Sequence, residues 1–556
     1  MGARMDKWSL LLTMVFSLSL RLEVILAQQD PTHSGGPLMP EQAAYNVSFY
    51  DIELKVDSFN KSIEGKVIVQ ATVVHPTRWF VLNLDTLLEV SAVQCITDDG
   101  ELRQLDFHRK KGNVWIDLTR TIQPGNQLKI AVGYSGQPRS QSMNGVIWSR
   151  TLAGYPWVGV WCEEMGADIW WPCKDHPSDR ADSISLQLTV PEPLKAVANG
   201  TLREVKENNN GTRTYHWFES QPINNYSVTI NIAPYREIKR MYRSINNDEF
   251  PVIFWVLPEK EKKAKTYFSE IIKIVSHLES LLGPYPFRSE KLGFVETPYM
   301  GMEHQTIIAY GGNFRYDAMA GIDWGFDALI QHELAHEWFA NMLTPLDWRD
   351  LWLNESLATY MQILYAEEFL GEEKVQDLLS IFYSRMENEQ PIVPEKGSEF
   401  SEVYGPDIYY KGALILNTLR FLIGDKRFKS LLRKWAYPDP TIEKMTNGSQ
   451  CRFVTTEDFL DLAEETAGVE LDWFFSAYLF QPQLPHLISR IKDDILELKW
   501  ETVSQQNFPF PVEVKIGRNV ERISMNQELS RIQLENSRDV QIDPHNRVLK
   551  KLTHHP

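Results

Sequence analysis

The chain has 556 residues, more than a single hydrophobic core ordinarily serves, so roughly two to four domains are expected. A composition of 43% hydrophobic and 24% charged residues is that of a soluble globular protein and argues against a disordered or fibrous chain. A formal net charge of −17 argues against nucleic acid or an anionic membrane as partner, because holding a polyanion requires clustered Lys and Arg.

At the N-terminus, Arg4 and Lys7 precede an apolar run from Trp8 to Leu20, and Ala27 before Gln28 offers a small residue for cleavage. This is a signal-peptide pattern over residues 1–27, and it predicts an exported protein, periplasmic or secreted. The run is short for a bilayer span and is broken at Arg21 and Glu23, so no stable membrane insertion is expected after cleavage. Cys95, Cys162, Cys173 and Cys451 are too few for a disulfide scaffold and lack the spacing of a thiolate metal site; one bridge is considered, Cys162 to Cys173.

From about Tyr45 to Pro234 short runs alternate with period two, as in Ile52, Leu54 and Val56 against Glu53 and Lys55. Such alternation predicts strands with one buried face. Near Lys260 the period changes: Ala264, Phe268, Ile271, Val275 and Leu278 recur at three and four, and Gly283-Pro284 ends the run. Helices are then expected at Phe326–Leu343, Glu355–Leu370, Gly412–Leu422 and Thr456–Ala467. Beyond Pro485 alternation returns in Leu496 to Trp500 and Val512 to Ile516, predicting a small β module.

The chemistry concentrates at His332-Glu333-Leu334-Ala335-His336. Residues four apart share a helix face, so both imidazoles reach one metal ion, and Glu333 stands beside them to take a proton from an attacking water. A catalytic zinc needs a third protein ligand. The next helical segment offers Glu355, separated from His336 by eighteen intervening residues, and the Pro345 turn between lets that helix fold back.

With Trp352-Leu353-Asn354-Glu355-Ser356, this region resembles the gluzincin aminopeptidases, the group containing aminopeptidase N and leukotriene hydrolase. Gly301-Met302-Glu303-His304-Gln305 resembles that family's Gly-x-Met-Glu-Asn motif, with His304 in place of Asn, and Trp171-Pro172-Cys173-Lys174-Asp175 resembles its Pro-Cys-x-Asp segment. The resemblance implies that Glu303, with Gly301 and Met302 around it, holds the α-ammonium of a substrate. It implies a helping role for Glu163, although Glu163-Glu164-Met165-Gly166 departs from the commoner pattern. Tyr409-Tyr410-Lys411-Gly412 resembles the family's Tyr-x-Lys-Gly, which selects Tyr409 as donor to the oxyanion.

The expected architecture is multidomain α+β: an N-terminal β saddle domain (28–240), a thermolysin-like, mainly helical zinc domain (241–482) and a small C-terminal β-sandwich-like module (483–556). The resemblance implies one zinc per chain and a monomer acting on peptides with a free N-terminus. Two rival readings share the zinc constellation: an endopeptidase, which the role of Glu303 would exclude, and an inactive peptide-binding relative. A lipid epoxide hydrolase is disfavoured by Ser401, which stands where the leukotriene enzyme's pattern has an acid.

Overall fold

The computed structural model describes residues 33–555 apart from 98, 142–143, 504–506, 526–528 and 535–539, so the signal-peptide segment lies outside the described residues. Strand formation follows the alternation. Tyr45–Asp57 buries Tyr50, Ile52, Leu54 and Val56 and turns Glu53 and Lys55 outward. It lies inside an eight-stranded sheet, parallel to Ser183–Pro191 with Ile52 opposite Leu186, and antiparallel to Ser62–Val73 with Ile52 opposite Val67. These cross-strand apolar pairs fix the register, since a slip of one residue would turn every buried side chain outward. A smaller sheet in the order Lys195–Ala198, Ile230–Ala233, Pro156–Trp161, Gly145–Arg150 carries the chain to Glu163, two residues past the end of its third strand.

Arg236–Arg243 crosses residue 240 and pairs with Glu249–Val256 at the start of a five-stranded sheet. Sheet pairing therefore joins 236–243 to the strands that follow it, past residue 240. The next strand, Leu292–Glu296, runs parallel to Glu249–Val256, so the chain must cross over between them. Helix α1 (Glu261–Leu282) makes that crossing, burying Ala264, Phe268, Ile271, Val275 and Leu278. It stops at Gly283, whose φ of 106° is costly for any residue with a Cβ. The sheet ends at the short edge strand Gly301–Met302, antiparallel to Ile307–Tyr310.

Three helices complete the centre: α2 (Ala328–Ala335), α3 (Trp352–Phe369) and α4 (Pro406–Ile423). Every residue of α3 from Trp352 to Ala366 is buried, and it packs on both α2 and α4. Regular α-helix ends at Ala335 rather than continuing to Leu343. Backbone bonds tighten to i−3 at Glu337 and Trp338 and then loosen to i−5 at Asn341, Met342 and Leu343, while Ala340 takes a φ of 146°. The apolar residues persist there because the irregular turn is itself buried, which sequence periodicity cannot distinguish from helix. The helix Thr456–Ala467 has the expected bounds, set by a capping box between Thr455 and Asp458 and by Gly468 in the left-handed region.

The C-terminal strands bury their own core of Leu487, Leu496, Leu498, Val512, Val514, Met525 and Leu534. Phe510 joins this module to the helices, stacking 6.0 Å from Phe421 and meeting Trp473 and Trp500. The protein thus has an N-terminal β-rich part, a helical middle and C-terminal β sheets. All four cysteines are free thiols, so the bridge considered between Cys162 and Cys173 is not formed; both are buried in the N-terminal core. Among the described residues no helix is long and apolar enough to cross a membrane.

Candidate active site

Helix α2 is anchored at its start. Asp327 caps it, accepting the Ile330 N–H at 3.0 Å and hydrogen bonds from the hydroxyls of Tyr310 and Tyr267, which tie the cap to the sheet and to α1. His332 lies near the end of α2 and His336 one turn later, with their Nε2 atoms 3.0 Å apart. Glu355, in the first turn of α3, places Oε2 3.2 Å from His332 Nε2 and 3.6 Å from His336 Nε2. Four ligands about 2.0–2.1 Å from a zinc ion form a tetrahedron with edges of roughly 3.3–3.4 Å, the size of this triangle.

The His336 Nδ1–H donates to the Phe339 carbonyl at 2.9 Å, which fixes the tautomer and leaves Nε2 facing the other donors. Glu355 Oε2 is buried and forms no hydrogen bond of regular geometry. Burial works against charge on both Glu355 and His336, but each outweighs it for the other. The charge of His336, with the His332 imidazole close by, holds the Glu355 carboxyl down at about 2, and Glu355 with Glu303 lifts His336 to about 10. The His332 and His336 nitrogens and a Glu355 oxygen, gathered within 4.8 Å of one another, form a ready set of donors for a cation. Two imidazole nitrogens and one carboxylate oxygen are the donor set of a catalytic zinc site, and the residues fit that ion.

The other expected residues converge on the same place. Glu303, Glu333 and His336 bring ligand-type atoms within 4.8 Å of one another, as do Glu163, Glu303 and Glu355. Gly301, Met302, Glu303, Glu333 and Glu163 line one cavity of about 310 Å³ together with the metal triad and Tyr409. A Cβ at Gly301 would lie 2.6 Å from Glu333 Oε1 and 2.8 Å from Leu329 Cδ1, so a larger residue there would displace the Glu333 carboxylate. Burial pushes the Glu333 carboxyl well above the usual range; His336 opposes the shift, and Glu303 and Glu355 reinforce it.

Glu303 is held from behind: its carbonyl accepts from Asn341 Nδ2 at 2.7 Å, and its Oε1 accepts from the Tyr226 hydroxyl at 3.3 Å. Glu163 Oε1 is buried without a partner. The Pro-Cys segment stays out of the cavity and supports the loop that carries Glu163, with Asp175 accepting the Ala167 N–H at 2.9 Å and Lys174 paired to Asp179 at 2.7 Å. Tyr409 faces His332 with ring centroids 5.9 Å apart, whereas the Tyr410 hydroxyl accepts from Arg385 away from the cavity. Burial, then the Glu355 charge, keeps the Tyr409 phenol protonated. His304 is buried and does not line the cavity, and Ser401 is exposed outside it. Sequence reasoning missed Tyr226, Trp161, Asn341 and Tyr404; they belong to no spaced motif, and only the packing brings them here.

A candidate metal triad with an adjacent carboxylate and a phenol lining one cavity is an arrangement suited to metal-assisted hydrolysis. Residues 46–227 match the peptidase M1 N-terminal domain and residues 270–478 match the peptidase family M1 domain, together more than half of the chain. The chain belongs to peptidase family M1. It is 23% identical over 499 residues to endoplasmic reticulum aminopeptidase 1 of Mus musculus, covering 85% of this chain and 52% of that protein. With aminopeptidase N of Haemonchus contortus it shares 24% over 411 residues, 68% of this chain and 41% of that one. The chain spans about half the length of the curated relatives it matches. Among solved structures, a variant M1 zinc metallopeptidase from Deinococcus radiodurans bound to a Tyr-Ser-Ala substrate shares the fold, with a TM-score of 0.64, 24% identity and coverage of 81% of this chain and 96% of that one.

Proposed function

We propose that this chain is a zinc-dependent aminopeptidase that hydrolyses the N-terminal peptide bond of peptides. The observation that carries this reading is the buried Glu303 carboxylate in the wall of the cavity, its ligand-type oxygen within 4.8 Å of the Glu333 and His336 donors. A carboxylate in that position pairs with an α-ammonium and leaves room for one residue before the scissile bond. His332, His336 and Glu355 would hold the zinc. When bound, the ion supplies Lewis acidity, bringing the pKa of a water from 15.7 to about 7 and polarising the carbonyl.

The chain's own residues do the rest. Glu333 accepts a proton from the attacking water and delivers it to the leaving amine, placed for both by lying beside His332 and His336 in the same cavity. The Tyr409 phenol donates to the oxyanion without titrating near neutral pH. Glu303, with Glu163 beside it, sets the register. Export belongs to the proposal as well, supported by Arg4, Lys7 and the apolar run that follows them.

The test compares a short peptide with its N-acetylated form, using protein shown by elemental analysis to carry one zinc per chain. Free peptide should lose single N-terminal residues in sequence, and acetylation should cost at least about thirty-fold in kcat/KM, since a buried carboxylate left unpaired costs about 2–5 kcal/mol. Internal cleavage of the acetylated peptide at the rate of the free one would replace this reading with an endopeptidase.

A further inference from the structure

The cavity holds more negative charge than the proposed chemistry uses. Five carboxylates line it, Glu163, Glu164, Glu303, Glu333 and Glu355, and among its described lining residues there is no Lys or Arg. A divalent ion and one α-ammonium offset three of those charges. Burial favours the neutral form of Glu163 and Glu333, so the carboxylate left facing the cavity with no Lys or Arg among its described lining residues is the exposed Glu164. One carboxylate oxygen, Glu163 Oε1, is already buried without a partner.

Glu164 is the one of the five with no part in binding metal, moving protons or holding the amine. It lies exposed at the cavity mouth, and the buried Asn144 fixes it by donating from Nδ2 to Oε2 at 2.7 Å. Trp161, half-buried in the cavity wall, is held rigid against the Tyr299 ring, the two stacking at 6.1 Å and 28°. A flat indole and an oriented carboxylate lining one cavity are the groups that receive a guanidinium or ammonium on an aliphatic stem, through cation–π contact and ion pairing.

Resting on the aminopeptidase reading, we propose that the subsite for the first side chain takes a cationic N-terminal residue, arginine or lysine, with Glu164 pairing with its charge and Trp161 supporting it. An acidic N-terminal residue is excluded by the same field.

The test uses the full zinc-loaded chain. Hydrolysis of Arg-, Lys-, Leu-, Phe- and Glu-aminomethylcoumarin is measured alongside calorimetric binding of free L-arginine and L-leucine. Arg and Lys substrates should exceed Leu in kcat/KM by at least about tenfold, the size expected when an ion pair and a cation–π contact act together, and the Glu substrate should not be cleaved. L-Arginine should bind tighter than L-leucine. Glu164→Gln should lower the Arg-to-Leu ratio about five- to tenfold, and Glu164→Asp should restore part of it. Equal turnover of Leu or Phe and Arg, or a ratio unmoved by Glu164→Gln, overturns the subsite while leaving the aminopeptidase intact. If no substrate is cleaved yet arginine binds tighter through Glu164, the aminopeptidase reading falls and the cationic subsite stands. Loss of both preference and cleavage removes both.

Discussion

Tyr409 and Tyr410 are neighbours in sequence, yet α4 turns the first toward His332 and the second toward Arg385. Removing the Tyr409 hydroxyl deletes one oxyanion donor while keeping the ring. Tyr409→Phe should therefore lower kcat by roughly 10²–10³ with little change in KM, whereas Tyr410→Phe should stay within a few-fold of the parent. Steady-state kinetics on one aminoacyl substrate decides between them. His304 makes a different kind of prediction. Burial without a hydrogen bond to either ring nitrogen pushes its pKa down to about 3, so it is neutral in the folded protein and free to protonate only on unfolding. A depressed pKa contributes stability that is complete above the unfolded value of about 6.5 and lost as pH falls toward 3. The cost at pH 5 is about 2 kcal/mol. His304→Asn should narrow the fall in Tm between pH 7 and pH 5; equal slopes for the two proteins would refute it.

At the level of elements, the meeting of α3 and α4 brings Glu355 and Tyr409 to the same cavity. The closeness depends on Gly412, where a Cβ would stand 1.7 Å from Ser356 Oγ and 2.6 Å from its Cβ, and on the Ser356 hydroxyl donating to the Ile408 carbonyl at 2.6 Å. Gly412→Ala must push the helices apart. A loss of about 1–3 kcal/mol is expected by urea unfolding, with a fall in turnover larger than that loss explains, because both Glu355 and Tyr409 shift. The helical character of α3 and α4 was legible from their long apolar content, but their bounds were not. Sequence placed the start of the third helix at Glu355 and of the fourth at Gly412, while the structure begins them at Trp352 and Pro406. Trp352 is held by the Thr456 hydroxyl, a residue 104 positions away, and no local signal announces such a partner.

Across the whole molecule, the C-terminal module has a small core of its own and depends on aromatic contacts with the helical part for much of its burial. Phe510, fully buried, is the centre of that junction. Phe510→Ala should cost about 3–5 kcal/mol and split unfolding into two transitions, the module releasing first, as followed by tryptophan fluorescence of Trp473 and Trp500 against far-ultraviolet dichroism. A single shifted transition would show instead that the module and helices unfold as one unit.

By itself the sequence determined whatever depends on short spacings. His332 and His336 share a helix face because a turn is 3.6 residues, Glu333 falls beside them for the same reason, and period-two alternation fixed which side of Tyr45–Asp57 is buried. It also placed Glu355 one helix away, since a short turn leaves the chain few ways to return. Tertiary structure alone decided what converges from afar: Tyr226 on Glu303, Asn341 behind it, Trp161 against Tyr299, and Glu163 within reach of the metal triad. It also ended α2 at Ala335, where the Phe339 carbonyl turns to accept from His336. Local periodicity is written in neighbouring residues, whereas the meeting of side chains a hundred positions apart is set by how whole sheets and helices pack.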